Sequence, residues 1–291
     1  MTKEQIEFIN ENFETKGPKY CADKLSINKS TISSYARRNG LKVSKESIYR
    51  ILSKNSIDIN KYINVVDPEI AYILGLIWSD GNVSFANNNS KTPIIKHTCV
   101  KYDSLNSDLI FEKLNWRRFE SENMKSLGKN TMIANWVSSR ELGNYLISNN
   151  YRDKDLGTYI FENFNNLLSH FLRGFFDGDG CITISNSGLK YKQIAIYFSS
   201  THTQDWTFIT KILDSLSIKY KTRINTDKLG KSSQIYINDS KSIYNLCEFI
   251  YKDSDGIRLE RKYDKYKDFL EYKKIFKRNN NLNSLLKYRT W

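Results

Sequence analysis

The sequence predicts an α+β protein in which two related modules follow a small all-α region. The first observation is a repeat: an apolar helical run ends at an acid and a glycine and passes directly into a strand, at Asp80-Gly81 and again at Asp179-Gly180. The two acids are roughly one hundred residues apart, the size of a small domain. The second is that the order of strands and helices after each acid recurs. The third is that residues 1–66 carry only helical patterns.

Residues 1–66 are predicted to form helices and a linker. Thr2 and Gln5 can form a capping box for a first helix, Pro18 can begin a second, and Asn28 can cap a third. The last two resemble a helix-turn-helix, whose second helix enters the major groove of DNA. The residues predicted to face DNA are polar or basic: Lys29, Ser30, Thr31, Ser33, Ser34, Arg37 and Arg38. The alternative is a plain helical bundle that only packs on the rest of the chain.

The helices that end at Asp80 and Asp179 are apolar on nearly all sides, which predicts that they are buried. Both are shorter than the roughly 20 apolar residues of a membrane span. Each also carries small residues four positions apart, which would let two helix backbones approach closely: Gly75, Ser79, Gly174 and Gly178. We therefore expect the two helices to pack on each other.

Each of these helices is followed by the same predicted order of two strands, a helix, a hairpin and a closing helix. In the first module, residues 67–155, the strands are expected at 83–85, 94–101, 116–122 and 131–137, with helices capped by Asp103 and Ser139. In the second module, residues 156–263, the strands are expected at 181–185, 191–199, 219–225 and 233–238, with helices at 205–216 and 240–251. The repeated order indicates a duplication.

The acids at the helix ends suggest a metal site. An acid is unfavourable at a helix C-terminus, where the helix dipole is negative, and two such acids brought together repel each other. A cation between them removes both penalties, and carboxylate and carbonyl oxygens suit Mg²⁺ or a similar cation such as Mn²⁺. Two acids that hold metal ions beside a phosphate form an arrangement that can catalyse the hydrolysis of a phosphodiester. The alternative is two core helices that end in incidental surface acids.

Both stretches resemble the LAGLIDADG motif, and residues 67–270 resemble a two-motif LAGLIDADG homing endonuclease. The resemblance implies two αββαββα modules whose motif helices pack at a pseudo-twofold axis. It also implies that Asp80 and Asp179 bind the metals. The first motif departs from the family pattern at Trp78, where an acid is common. Asp177, the counterpart of Trp78 in the second motif, is a weaker candidate.

The resemblance further implies that the uncovered face of each sheet follows the major groove. The candidate contacts are Lys96, Lys101, Arg117, Arg118, Lys129, Lys192, Gln193, Tyr197, Lys221, Arg223, Lys231 and Gln234. The face of each strand stays open at this point, because a shift of one residue in register inverts it. Two sheets that each follow about one turn of roughly 10 bp imply a site of about 20 bp.

In the family a basic residue near the metals follows the last helix of each module. By this resemblance we assign that role to Lys154 and Lys262, where a cation would stabilise charge on the phosphate or organise the attacking water. Residues 264–291 form a basic tail that is expected to be partly helical. The tail would lie along the phosphate backbone or pack on the second module.

Composition is consistent with a polyanionic partner, since the net charge is +13. The four cysteines form no CxxC pair and the three histidines no cluster, which argues against a zinc centre. The sequence shows no signal peptide and no membrane span. We therefore expect a cytoplasmic, nucleoid-associated protein, or an organellar one if an organelle genome encodes it.

The sequence as a whole predicts a site-specific, metal-dependent endonuclease for double-stranded DNA. One chain would contribute both half-sites, so a monomer is expected. The chain lacks splicing residues at its ends, so we expect a free-standing protein and not part of an intein. Two alternatives stay open: a DNA-binding regulator with this fold that no longer cuts, and an RNA maturase that helps an intron to fold.

Overall fold

The computed structural model describes residues 1–45, 57–85, 90–121, 131–151, 164–186, 192–227 and 230–287. The chain divides into two compact units, Met1–Ser56 and Ile57–Trp291. The helices are α1 (Lys3–Leu25), α2 (Lys29–Arg38), α3 (Asn60–Ile63), α4 (Pro68–Asp80), α5 (Leu105–Lys113), α6 (Arg140–Ser148), α7 (Leu168–Asp179), α8 (Thr207–Ser215), α9 (Ser240–Tyr251) and α10 (Glu260–Lys287). The strands are β1 (Gly81–Phe85), β2 (Pro93–Val100), β3 (Arg117–Ser121), β4 (Met132–Ser138), β5 (Gly180–Asn186), β6 (Lys192–Thr201), β7 (Lys221–Asp227) and β8 (Gly230–Ile237).

The first unit is a small helical body. A capping box opens α1: the Gln5 amide donates to the Thr2 hydroxyl over 3.3 Å, and the Thr2 amide donates to the Gln5 side chain over 2.9 Å. A kink at Gly17, with φ 77° and ψ 175°, divides α1 into two helical segments. Asn28 caps α2 by accepting a bond from the Ser30 amide over 2.9 Å. The apolar side chains of the segments form one core: Ile9, Phe13, Cys21, Ala22, Ile32 and Ala36.

The second unit contains the two modules. Each has one four-stranded antiparallel sheet, with strand orders β1-β2-β4-β3 and β5-β6-β8-β7. Along the chain, α4 to α6 and α7 to α9 follow the same order, αββαββα. The registers also match, since Gly81 pairs with His97 as Gly180 pairs with Phe198. The predicted fold class, an α+β protein with two pseudo-symmetric modules after a small helical region, is confirmed.

The motif helices α4 and α7 pack on each other along their glycines. A Cβ added to Gly75 would overlap the Phe171 carbonyl oxygen and lie 2.7 Å from the Phe175 amide nitrogen. A Cβ added to Gly174 would overlap the Tyr72 carbonyl oxygen. Both neighbours are backbone atoms, so the helices touch where side chains are absent. The close approach that the small residues predict is therefore present.

Two sequence expectations differ from the structure at helix ends. The predicted cap Asp103 lies in a 3-10 turn, Lys101–Asp103, and α5 begins two residues later. The Asp103 carboxylate instead accepts hydrogen bonds from Arg261 Nε over 2.9 Å. The prediction that Asp103 caps the helix is therefore wrong, because this carboxylate pairs with an arginine far away in the sequence. The long helix α10 also crosses the predicted start of the tail at residue 264. No helix among the described residues is both long and apolar enough to cross a membrane.

His97 lies on the covered side of the first sheet and is only 2% exposed. Its ring stacks on Phe111 at 5.5 Å between centroids, and its Nδ1 has no hydrogen-bond partner within the described part of the chain. Burial lowers the pKa of His97 to about 4, although Asp108 opposes the change. An unfolded histidine has a pKa of about 6.5, so the folded protein binds this proton less readily than the unfolded chain.

We predict that His97 makes the protein sensitive to acid. Stability should fall as the pH drops from about 6.5 toward 4, because protonation favours the unfolded chain in that window. Between pH 7.5 and 5.0 the loss from this residue is about 2 kcal/mol. Chemical denaturation at the two pH values should show this difference in the wild type and lose it in His97→Phe. The exposed His202 is the control, and an unchanged pH dependence in His97→Phe would contradict the prediction.

Candidate active site and nucleic-acid interface

The acids Asp80 and Asp179 are the last residues of α4 and α7, and β1 and β5 begin directly after them. The two helix ends are adjacent. A Cβ added to Gly178 would overlap the Ser79 hydroxyl and lie 3.1 Å from Asp80 Oδ2. The helix packing that the glycines permit therefore brings the two acidic ends together.

Both acids affect the pKa of Tyr151. Its buried hydroxyl donates to the Ile77 carbonyl over 3.0 Å, and its ring meets Trp78 edge-on at 5.5 Å between centroids. Burial raises the pKa of Tyr151 above its ordinary range, and the negative charges of Asp179 and Asp80 raise it further. The two carboxylates thus act on one common group. Sequence reasoning missed Tyr151, whose only local signal is an aromatic residue just after α6.

The donor chemistry fits a hard divalent cation. Each acid supplies carboxylate oxygen at the negative end of a helix, where an added positive charge is favourable. Among the described residues no group of three or more His, Cys, Asp or Glu side chains could hold a metal ion.

Lys262 is 3% exposed and lies at the end of the second motif helix. Its Nζ donates to the carbonyl oxygens of Phe176 and Asp177, both over 2.7 Å, and of Gly178 over 3.4 Å. Burial lowers the pKa of Lys262 to about 8, while Asp177 and Asp80 act in the opposite direction. The ammonium therefore sits on the last carbonyls before Asp179. The corresponding candidate Lys154 lies outside the described residues.

The weaker candidate Asp177 is buried and ties three segments together. Its Oδ2 accepts bonds from the Tyr72 hydroxyl over 2.9 Å and from the Leu259 amide over 2.8 Å. Burial raises the pKa of this carboxyl, and Lys262 lowers it. A cavity of about 160 Å³ separates it from the first sheet, lined also by Asp80 and Arg261. Asp177 thus joins α4 to the segment that leads into Lys262.

The register places the candidates of the first sheet on different faces. Lys96 and Arg117 both neighbour Trp136 on the face opposite the helices. Arg118 lies on the helix side, where its Nε pairs with Asp108 over 2.9 Å. Lys101 follows the end of β2 and pairs with Glu120 over 2.6 Å. Lys129 lies outside the described residues.

Five candidates of the second sheet share the face opposite α7 to α9, here called its uncovered face: Gln193, Tyr197, Lys221, Arg223 and Gln234. At one end of this face, Gln193 and Tyr197 line a pocket of about 360 Å³ together with Phe269, Tyr272 and Lys273 of α10. Their strand neighbours Ile194, Ile196 and Phe198 are buried on the opposite face. Lys231 pairs with Thr226 on that other side. Lys192 belongs to β6, but its side chain lies outside the described part.

Sequence reasoning missed an aromatic residue at the same place on each sheet. The Arg117 guanidinium lies 4.8 Å from the ring centre of Trp136. The Arg223 guanidinium lies 4.1 Å from the ring centre of Tyr236, and the Tyr236 and Tyr197 ring centres are 5.0 Å apart. The signal was available as alternation along β4 and β8, but only the strand partners show that these rings lie beside cations.

The helix-turn-helix candidates lie on the outer side of α2. Ile32 and Ala36 of this helix are buried in the first unit. Ser34 is partly exposed and the others are exposed: Lys29, Ser30, Thr31, Ser33, Arg37 and Arg38. The predicted DNA-facing set therefore occupies one polar, basic helix surface.

The second module matches a known domain family. Residues 166–251 match the family model of the LAGLIDADG-like domain. This range holds the second motif helix and the whole second sheet, and the first module repeats its strand order. The resemblance to the LAGLIDADG family is confirmed. A comparison with curated proteins finds no match.

Several solved structures are similar to this chain. A variant of I-SmaMI is 15% identical, with a TM-score of 0.49, over 75% of this chain and 94% of that one. I-LtrWI bound to its target DNA is 16% identical, with a TM-score of 0.46, over 78% and 96%. A variant of I-DmoI in complex with its target DNA and Mn is 16% identical, with a TM-score of 0.45, over 65% and 96%.

Proposed function

We propose that this protein is a site-specific, metal-dependent endonuclease that cuts both strands of a long DNA site. The observation that carries the proposal is the meeting of Asp80 and Asp179 at the adjacent ends of two packed helices. Each end leads directly into a sheet whose uncovered face carries cations. One chain holds both acids and both sheets, so a monomer would suffice to address both strands.

The side chains divide the work in this proposal. Asp80 and Asp179 would hold divalent cations, with Mg²⁺ or Mn²⁺ as the candidates. When bound, such cations would supply positive charge that polarises a phosphate and lowers the pKa of a water molecule. Lys262 would orient the end of α7 through its three carbonyl bonds and add positive charge beside the phosphate. Lys154 is proposed for the matching place in the first module.

The uncovered sheet faces would lie in successive major grooves. Lys96 and Arg117 on one face, and Lys221 and Arg223 on the other, supply charge for the phosphates and donors for bases. The net charge of +13 favours this partner. The protein would work wherever its DNA target lies, in the nucleoid or in an organelle.

The testing experiment is cleavage of a randomised double-stranded DNA library with Mg²⁺. Ca²⁺, which tolerates looser coordination, and the double variant Asp80→Asn with Asp179→Asn are the controls. We expect discrete cuts that share one long motif and vanish in both controls. Tight, salt-sensitive binding without cuts would favour a regulator with this fold, and failure to bind DNA at all would favour an RNA partner.

We also propose that the first unit binds DNA through α2. Replacing Arg37 and Arg38 by Gln should weaken DNA binding and reduce the slope of log affinity against log salt by up to about 2, because each phosphate contact releases counterions. Fluorescence anisotropy at several salt concentrations measures the slope. Lys19→Gln with Lys24→Gln removes equal charge from α1 as the control, and equal effects of the two pairs would argue against a specific role for α2.

A further inference from the structure

The uncovered faces of the two sheets differ in chemistry. That of the first sheet carries several apolar side chains: Ile94, Val100, Phe119, Met132, Ala134 and Trp136. That of the second sheet is more polar and basic, since Ala195, Tyr197 and Tyr236 are accompanied there by Gln193, Ser199, Lys221, Arg223, Asn225 and Gln234. The sheets share one strand order, so they can be compared position by position.

Phe119 is the clearest case. It is 55% exposed on the edge strand β3, directly opposite Ala134. Its neighbour Arg117, two residues earlier, stacks on Trp136 on the same face. Arg118 between them pairs with Asp108 on the helix side. These contacts fix the phenyl ring on the uncovered face, where it exposes apolar surface to water.

The matching position of the second sheet holds Arg223. In the first sheet, the row of paired residues next to the Gly81–His97 pair consists of Thr98, Ala134 and Phe119. In the second sheet the equivalent row is Ser199, Gln234 and Arg223. Both rows carry a hydroxyl, at Thr98 and Ser199, but the first then has the buried methyl of Ala134, which is 2% exposed, and the exposed phenyl group of Phe119. The second has amide and guanidinium groups instead.

An apolar patch beside Lys96 and Arg117 suits one feature of the major groove. The C5 methyl of thymine is the one apolar group that a base pair presents there, and side chains such as Ala, Thr and Phe contact it. Arginine and glutamine instead make paired hydrogen bonds to guanine and adenine. The flanking cations match phosphates on either side, which favours a DNA duplex over an apolar protein partner.

We infer that the first sheet recognises its half-site through thymine methyl groups, with Phe119 as a specificity-determining residue, whereas the second sheet uses hydrogen bonds. The inference rests on the proposed function, since it assumes that the sheet faces contact DNA bases. It adds the chemical class of bases that each half-site prefers: thymine-rich on one side, and mixed with guanine and adenine contacts on the other.

The experiment replaces thymine by deoxyuridine, which removes only the C5 methyl, in one half of the selected site at a time. Affinity is measured with Ca²⁺ so that no cleavage is needed. Each buried methyl should contribute roughly fourfold in affinity, and we expect the loss in one half only. In Phe119→Ser the same replacement should cost less, because the ring that covers the methyl is gone.

Ile224 provides a matched control. It is 69% exposed on β7, the strand equivalent to β3, but lies on the opposite face, where it pairs with Ser233. Ile224→Ser removes a similar apolar side chain and should leave the deoxyuridine effect unchanged.

Tight binding to a site in which deoxyuridine lowers the affinity in neither half, or lowers it equally in both halves, would overturn this inference. The endonuclease proposal would still stand in that case. A change in oligomeric state in Phe119→Ser without a change in DNA affinity would assign the patch to protein contact and overturn it as well. Failure to select any DNA site would overturn both proposals.

Discussion

Replacing Asp80 or Asp179 by Asn should reduce DNA cleavage by at least about a thousandfold while DNA binding is retained. The amide keeps the shape of the side chain but loses the charge that would hold a divalent cation in the proposed site. Single-turnover cleavage of the selected site in Mg²⁺ measures the loss, and anisotropy in Ca²⁺ measures binding. Asp268→Asn, at an exposed position of α10, is the control for removal of one acidic charge.

The same variants allow a second measurement that does not depend on activity. Both acids lie at the negative ends of helices, where an added positive charge is favourable. Added Mg²⁺ should therefore raise the melting temperature of the wild type relative to EDTA and leave that of the Asn variants unchanged. Variants that cut normally would contradict the assignment of these acids, whereas variants that lose DNA binding and melt at a lower temperature than the wild type in EDTA would point to a merely structural role.

Replacing Gly75 or Gly174 by Ala should destabilise the protein by about 3 kcal/mol, which lowers the melting temperature by roughly 10 °C in a unit of this size. Alanine normally stabilises a helix relative to glycine by about 1 kcal/mol, so even the sign of the effect is informative. Here the added Cβ meets the backbone of the other motif helix, at Phe171 or Tyr72. Backbone cannot rotate aside, so the helices must separate.

Separation of the helices should make the two substitutions less than additive. Once one Cβ has forced the backbones apart, the second finds more space, so a double-mutant cycle should show a coupling of about 1 kcal/mol or more. Thermal melts of the four proteins give the cycle. Asn144→Ala, at an exposed position of α6, is the control for helix propensity. Additive effects, or a rise in melting temperature for either glycine variant, would show that the interface is looser than the contacts indicate.

Local sequence pattern was sufficient for the motif helices and their acids. The apolar run from Ile70 to Trp78 is buried throughout, and its copy before Asp179 behaves alike. Both signals are local, because helix periodicity, small-residue spacing and an acid-glycine stop need no knowledge of distant contacts. The repeat then predicted the pairing of the two helices, which no single copy could do.

Strand faces and distant partners were decided only by the tertiary structure. Arg117 and Arg118 are adjacent, basic and exposed on an edge strand, so nothing local tells which faces the helices until the partner strand sets the register. Lys262 donates hydrogen bonds to carbonyl oxygens that precede it by more than eighty residues. Asp103 does not cap the helix as expected, because its carboxylate pairs with Arg261. The sequence by itself determined which segments form helices, where the acids stand and that the unit is repeated. Packing of segments far apart in the chain decided which side chains meet, because their contact energies depend on neighbours that no local window contains.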